Sequence, residues 1–73
     1  MEYKRIRDLR EDHDLTLRQL GEILKMPHTQ YWRYEQGYRD FPTDILIQLA
    51  DLYDTSLDYM LGRTDDPTPP KKN

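Results

Sequence analysis

The chain of 73 residues contains no cysteine, only three glycines and no long apolar run. Without cysteine it has neither a disulfide framework nor a thiolate-based zinc or iron–sulfur site. His13 and His28 have no carboxylates at metal-ligand spacing, so we expect no metal site. No stretch approaches the roughly 20 apolar residues of a membrane span, and the first residues lack the apolar segment of a signal peptide. We therefore expect a cytoplasmic protein without a membrane partner.

The patterns on which enzymes depend are also missing from the sequence. It has no phosphate-binding glycine loop, no nucleophile with a neighbouring base and no paired carboxylates in a segment that would form a pocket. We expect no enzymatic activity, no cofactor and no small-molecule ligand. A chain of this length is expected to form one small domain, which buries only roughly 60% of the surface of its unfolded state.

The net charge of −3 is distributed unevenly along the chain. Residues 16–39 carry four basic and two acidic side chains, whereas residues 40–66 carry seven aspartates and one arginine. Because charges act over about a Debye length of ~8–10 Å, an acidic protein can present one basic face. A polyanionic partner at residues 16–39 is therefore compatible with the overall charge.

Apolar residues recur at helical spacing, which predicts an all-α fold of five short helices. The first three are expected over about residues 3–13, 16–24 and 27–36. Pro42 opens a fourth helix, and Ser56 caps a short fifth helix that Gly62 ends. These helices predict a compact domain over residues 3–63. Residues 64–73 contain three prolines and no aromatic residue, which predicts a disordered tail.

The second and third helices carry the clearest local signals. Thr16 and Gln19 have the spacing of a capping box, flanked by Leu15 and Leu20 as a hydrophobic staple. Pro27 is expected at or near the first position of the third helix, and Gly37 at its left-handed end. Only two residues separate these helices, so they must cross steeply and touch near their middles. Gly21 would allow that contact, and Tyr31 would anchor the third helix in the core; residues 16–36 therefore have the pattern of a helix-turn-helix motif.

Several blocks in order and at matching spacing carry a family resemblance. They begin with Ile6-Arg7-Asp8-Leu9-Arg10-Glu11 and continue through Leu15-Thr16-x-x-Gln19-Leu20 to Tyr34-Glu35-Gln36-Gly37. The most specific block is Leu49-Ala50-Asp51-x-Tyr53, followed by Ser56-Leu57-Asp58-Tyr59-Met60-Leu61-Gly62-Arg63. With these residues the chain resembles the Cro/CI-type, or XRE-type, lambda-repressor-like regulators from about Ile6 to Arg63. The resemblance implies a DNA-binding domain whose recognition helix, residues 27–36, lies in the major groove.

Carried over position by position, the resemblance also implies roles for individual residues. Side chains facing base edges would be His28, Thr29, Trp32 and Arg33. Contacts to the DNA backbone would come from Arg10, Thr16, Leu17, Arg18, Gln30 and Arg39. Structural support would come from Gly21, Tyr31, Glu35 and Gly37, and Arg10 is expected to pair with Glu35.

Four positions depart from the usual pattern of that family. Leu17 stands where glutamine is common, Lys25 where the turn has glycine, and Pro27 where serine or threonine caps the recognition helix. Trp32 replaces a small polar residue. Its indole could stack on a sugar, pack against a thymine methyl group or contact another protein.

The resulting hypothesis is a sequence-specific regulator, a repressor, that binds a double-stranded operator as a homodimer. A single small module contacts few base pairs, and two half-sites one helical turn apart would add affinity. Phe41, Leu57 and Met60 are the expected dimer contacts. The alternative is a protein-interaction module, such as an antitoxin-like partner, that uses Trp32 and the acidic surface of residues 40–66. Salt-dependent binding to random duplex DNA distinguishes the two.

Overall fold

Five α-helices follow one another along residues 3–69, the part of the chain that the computed structural model describes. They are α1 (Lys4–Asp12), α2 (Leu17–Leu24), α3 (His28–Glu35), α4 (Thr43–Leu52) and α5 (Leu57–Met60). The prediction of an all-α, five-helix fold is confirmed. Of the helices in this range, none has the length and apolar character needed to cross a membrane.

The helices begin at the residues that the capping signals indicate. The Thr16 hydroxyl accepts from the Gln19 amide at 3.1 Å, and the Gln19 side chain accepts from the Thr16 amide at 2.9 Å, so the capping box is confirmed. Ser56 caps α5 by accepting from the Tyr59 amide at 3.0 Å. Pro27 is expected at or near the first helical position of α3. It occupies the N-cap, one position earlier, and its side chain makes no capping hydrogen bond.

All five helices end in the same backbone motif, a Schellman turn, in which one residue adopts a left-handed conformation. In α3, for example, the Tyr38 amide donates to the Arg33 carbonyl at 3.0 Å and the Gly37 amide to the Tyr34 carbonyl at 3.2 Å. The left-handed residues, in chain order, are Asp14, Lys25, Gly37, Asp54 and Gly62, with φ values of 55°, 58°, 83°, 51° and 79°. Glycine thus occupies two of the five positions, and the predicted role of Gly37 is confirmed.

Each helix contributes one fully buried side chain to a single core. These side chains are Ile6, Leu20, Tyr31, Leu49 and Met60. Around them pack Leu24, Tyr34, Phe41, Ile45, Ala50 and Tyr53. Helix α3 therefore packs against the rest of the domain with one face and leaves its other face exposed.

The core also corrects two of the expected dimer contacts. Met60 is fully buried and Phe41 is 8% exposed, so neither side chain is available to a second protomer without unfolding part of the domain. The helical spacing of α5 did not distinguish its inner from its outer face, because a four-residue helix has barely one turn. Leu57 lies on the exposed face of α5.

The segment after α5 is tied to the domain by side chains from earlier in the chain. Residues 64–69 form neither helix nor strand. The Arg5 guanidinium lies over the Tyr59 ring at 4.3 Å and donates to the Thr64 carbonyl at 2.7 Å. The Thr55 hydroxyl donates to the Pro67 carbonyl at 2.7 Å. The tail predicted as disordered thus has a hydrogen-bonded first part, and residues 70–73 lie outside the described residues.

Candidate nucleic-acid interface

Gly21 sets the geometry of the helix-turn-helix unit. A Cβ atom at this position would lie 2.8 Å from the Met26 carbonyl oxygen and 3.1 Å from the His28 amide nitrogen. The Schellman turn at the end of α2 folds the Met26 backbone onto α2, where the Met26 amide donates to the Gly21 carbonyl at 2.9 Å. A small residue is needed here, as predicted, but for the turn and the start of α3 rather than for a contact between helix middles.

Helix α3, the predicted recognition helix, has a buried face and an exposed face. Tyr31 is fully buried, and Tyr34 and Glu35 are buried beside it. Thr29, Trp32 and Arg33 are exposed on the opposite side, and His28 is half-buried at the start of the helix. These positions follow the 3.6-residue period of a helix, so the predicted division into core-facing and outward-facing residues is confirmed.

A buried ion pair joins α3 to α1. Arg10 Nε lies 2.7 Å from Glu35 Oε2, and Nη2 lies 3.2 Å from Oε1, which makes the pair bidentate. The third guanidinium nitrogen donates to the Leu15 carbonyl at 2.9 Å. The side chains of Arg10 and Glu35 are 12% and 1% exposed. The hydrogen bonds that Arg10 donates to Glu35 raise the pKa of Arg10, so the guanidinium stays charged.

This pairing confirms the predicted partners and assigns Arg10 a structural position. All three of its nitrogens bind groups of this chain, whereas the exposed arginines of the unit, Arg18, Arg33 and Arg39, have no ion-pair partner within residues 3–69. The Glu35 carboxylate, the one acidic group of α3, is neutralised by this contact. The outward face of the helix therefore carries positive charge.

Two buried tyrosine hydroxyls have no hydrogen-bond partner among the described residues. They belong to Tyr31 and Tyr53, both of which are buried. Burial raises the pKa of each hydroxyl well above its ordinary value, and the negative charge of Glu35 raises both further. Both hydroxyls therefore favour the neutral, protonated form.

A shallow cleft of about 430 Å³ brings several of the predicted DNA-contacting residues together. It is lined by Pro27, Thr29, Gln30, Arg33, Tyr34 and Arg39. The Gln30 amide donates to the Tyr34 hydroxyl at 3.2 Å, which orients Gln30 along the helix. Arg33 and Arg39 thus share one surface although Arg39 lies beyond the end of α3.

The other predicted backbone contacts lie at the start of α2. Arg18 is exposed in the first turn, and Thr16 is exposed with its hydroxyl engaged in the capping box. Leu17 is half-buried and packs against the core, so the fold accommodates an apolar residue at this position. The residues described here contain no group of three or more histidine or acidic side chains that could hold a metal ion.

Sequence reasoning missed Tyr38. Its ring lies 5.7 Å from the Trp32 ring, centroid to centroid, with the planes tilted by 44°. Tyr38 is 73% exposed, beyond the end of α3. The signal was available in principle, because the residue after a left-handed Gly37 returns towards the last turn of the helix.

A family model for a helix-turn-helix domain matches residues 4–61, which include all five helices. The chain belongs to the helix-turn-helix family. The predicted membership is confirmed.

Similar proteins include three transcriptional regulators from Bacillus subtilis (strain 168). The uncharacterized HTH-type transcriptional regulator YobD is 47% identical over 66 residues, covering 90% of this chain and 59% of YobD. The HTH-type transcriptional regulator ImmR is 36% identical over 62 residues, covering 85% of this chain and 49% of ImmR. The HTH-type transcriptional regulator AnsR is 36% identical over 63 residues, covering 86% of this chain and 54% of AnsR. The chain thus spans about half to three fifths of the length of these relatives.

Proposed function

We propose that this protein is a sequence-specific DNA-binding transcriptional regulator, a repressor, that inserts α3 into the major groove. The observation that carries the proposal is the outward face of α3, where exposed Thr29, Trp32 and Arg33 stand free of the core. A rigid helix with its side chains available on one face has the dimensions of the groove, about 12 Å wide. The helix-turn-helix regulators to which the chain is similar support the same assignment.

Each group on this surface has a role that follows from its chemistry. Arg33 offers a planar fork to guanine O6 and N7, and Thr29 offers a hydroxyl and a methyl group. His28 and Trp32 complete the base-contacting set. Arg18, Gln30 and Arg39 hold phosphates, together with the Leu17 amide at the start of α2, whereas the Thr16 amide already donates to Gln19. Arg10 positions α3 through Glu35 with three of its five N–H groups bound within the chain, and its two other N–H groups can donate to a phosphate.

The assembly on DNA is a homodimer on a two-fold operator. One module of this size buries too little DNA surface for tight binding, whereas two half-sites one turn apart double the contacts. Leu57, 37% exposed on α5, remains as an apolar contact between protomers. The expected compartment is the cytoplasm, where DNA, the partner, is accessible.

A second candidate function is a protein-interaction module. The observation that favours it is the exposed Trp32–Tyr38 pair, because exposed aromatic residues are typical centres of protein interfaces. Titration with random duplex DNA separates the two functions. DNA binding must weaken steeply as salt rises, since each neutralised phosphate releases counterions. Absence of salt-dependent binding would favour the interaction module.

Arg33 and Arg39 give the proposed function its sharpest test. Arg33→Ala should lose roughly 1–3 kcal/mol on a selected operator and relax selectivity at one base pair. Arg39→Ala should weaken binding to all sequences alike and lower the slope of log K against log salt by about 1 per half-site. The measurement is the affinity of both variants for the operator and its single-base-pair mutants at several salt concentrations. Equal, sequence-blind losses would contradict a base contact by Arg33.

A further inference from the structure

Trp32 and Tyr38 form an exposed aromatic pair. The phosphate and guanine contacts proposed for the arginines give this pair no binding partner. Trp32 is 40% exposed and Tyr38 is 73% exposed, and their rings meet at 5.7 Å with a tilt of 44°. That separation lies within the range of favourable aromatic contacts. The pair is an apolar surface on a helix face that otherwise carries polar and basic groups.

The backbone fixes Tyr38 in this position. The Tyr38 amide donates to the Arg33 carbonyl at 3.0 Å, and Gly37 has the positive φ of 83° that lets the chain reverse direction. The Tyr38 ring therefore returns against the last turn of α3. Its contact with Trp32 limits the rotamers that the indole can adopt.

The surroundings of the pair match a polyanion. Arg33 follows Trp32 directly, and Arg39 follows Tyr38; neither has an ion-pair partner within residues 3–69. The carboxylate of Glu35, on the same helix, is bound by Arg10. An apolar pair flanked by two available guanidinium groups is suited to DNA. The guanidinium groups would face phosphates, and the aromatic pair would face an apolar group in the groove between them.

We infer that Trp32, positioned by Tyr38, binds the methyl group of a thymine in the major groove. The inference rests on the proposed function, since it requires α3 to enter that groove. The thymine C5-methyl is the apolar group that base edges present there. Trp32 lies one turn after His28 and Thr29 on the same face, so its indole would cover the base pair next to those that they contact. Trp32 is then a specificity-determining residue and Tyr38 a positioning residue.

Replacement of thymine by uracil isolates this contact, because it deletes the methyl group and leaves every base-edge hydrogen bond in place. An operator is first selected from a random duplex library with the unaltered protein. Each thymine of that operator is then replaced by uracil in turn, and affinities are measured at fixed salt. At one position per half-site we expect a loss of roughly four-fold, which equals about 0.8 kcal/mol for one buried methyl group.

Variants connect the lost methyl group to the aromatic pair. Trp32→Ala should bind the thymine and uracil duplexes equally at that position, and Tyr38→Ala should reduce the preference. Tyr38→Phe keeps the ring and should restore the preference. Ile47→Ala is the matched control, because Ile47 is also an exposed apolar residue, at 48%, but lies on α4. Because all these side chains are exposed, the variants should fold, which circular dichroism checks.

Intrinsic fluorescence gives a second readout, since Trp32 is the one tryptophan of the chain. Its emission should change on binding the thymine operator and change less with the uracil operator. If the unaltered protein binds no duplex in a salt-dependent manner, the proposed function itself fails. If it binds an operator but no thymine-to-uracil replacement alters its affinity, or Trp32→Ala retains the preference, the inference alone is overturned.

Discussion

At the scale of single residues, the position of α3 depends on one buried carboxylate. Glu35 joins α3 to α1 through both oxygens, and Arg10 extends the link to the Leu15 carbonyl. Losing either partner leaves the other charge in a site from which water is largely excluded. The cost of that isolation exceeds what the intact pair contributes.

Glu35→Ala should therefore lower the free energy of unfolding by about 2–4 kcal/mol, because it leaves the Arg10 charge buried and unpaired. Glu35→Gln keeps the shape and one acceptor and should cost less. The double variant Arg10→Met, Glu35→Leu should recover part of the loss, since no charge remains. Chemical denaturation measures all three. A change within about 0.5 kcal/mol for Glu35→Ala would contradict a buried pair, since surface substitutions have effects of that size.

The buried hydroxyl of Tyr31 predicts an alkaline loss of stability. Its pKa is raised in the folded protein, so above about pH 10 the unfolded chain releases a proton that the folded chain retains. Stability must then fall as pH rises, by up to about 1.4 kcal/mol per pH unit for each such tyrosine. Tyr31→Phe should make the fall less steep, because it removes the buried titrating hydroxyl. Denaturation between pH 8 and 11 tests this, with Tyr38→Phe as the control on an exposed ring; an unaltered slope in Tyr31→Phe would contradict it.

Residue-level prediction from the sequence succeeded where a helical period determines which way a side chain faces. It placed Tyr31 inward and Arg33 outward, and it paired Arg10 with Glu35 through the family resemblance. It failed for Met60 and Phe41, which are buried, because neither lies in a helix long enough for a period to show. The contact of Tyr38 with Trp32 could not be predicted from the sequence, because it depends on the three-dimensional course of the turn at Gly37.

At the scale of helices and turns, the repeated Schellman ending is the main feature that the sequence did not predict. Gly37 and Gly62 indicated two such ends, but Asp14, Lys25 and Asp54 occupy the same left-handed conformation without being glycine. Sequence reasoning depends on glycine to find these turns, because other residues adopt positive φ at a cost of roughly 1–2 kcal/mol. Aspartate tolerates the conformation, whereas lysine has no side-chain group that compensates for it.

Lys25→Gly should therefore raise the free energy of unfolding by about 1 kcal/mol, because φ of 58° no longer places a Cβ against the backbone. Lys25→Ala is the matched control, because it removes the same charge but keeps the Cβ. It should not raise the free energy of unfolding. Urea denaturation of the three proteins gives the comparison. Equal stability of the glycine and alanine variants would show that the left-handed turn costs nothing here.

At the scale of the whole molecule, the two ends of the described chain meet at Arg5. Its guanidinium lies over Tyr59 and binds the carbonyls of Tyr59 and Thr64 and the carboxylate of Asp65. The sequence predicted disorder from residue 64 onward on composition alone. A single long side chain from α1 supplies hydrogen bonds that composition does not reveal.

Arg5→Ala should increase fast backbone motion at Thr64 and Asp65 and lower stability by about 1 kcal/mol, since it removes hydrogen bonds between distant parts of the chain. Amide relaxation measures the motion and chemical denaturation the stability. Arg7→Ala is the matched control, because Arg7 makes an exposed pair within α1 to Glu11 and should change neither quantity by much. Unchanged order parameters at residue 64 in Arg5→Ala would mean that the tail is not restrained by this arginine.

The capping box of α2 has a consequence for the time course of folding. Thr16 and Gln19 satisfy each other within four residues, and the turn that follows closes on Gly21 within the same segment. These contacts close short loops, and closing a short loop costs little chain entropy. We therefore expect them to form early, in the folding nucleus. Substitutions in α2 should therefore slow refolding. Loss of the Arg5 contacts, which join residues 59 and 60 positions apart, should mainly accelerate unfolding.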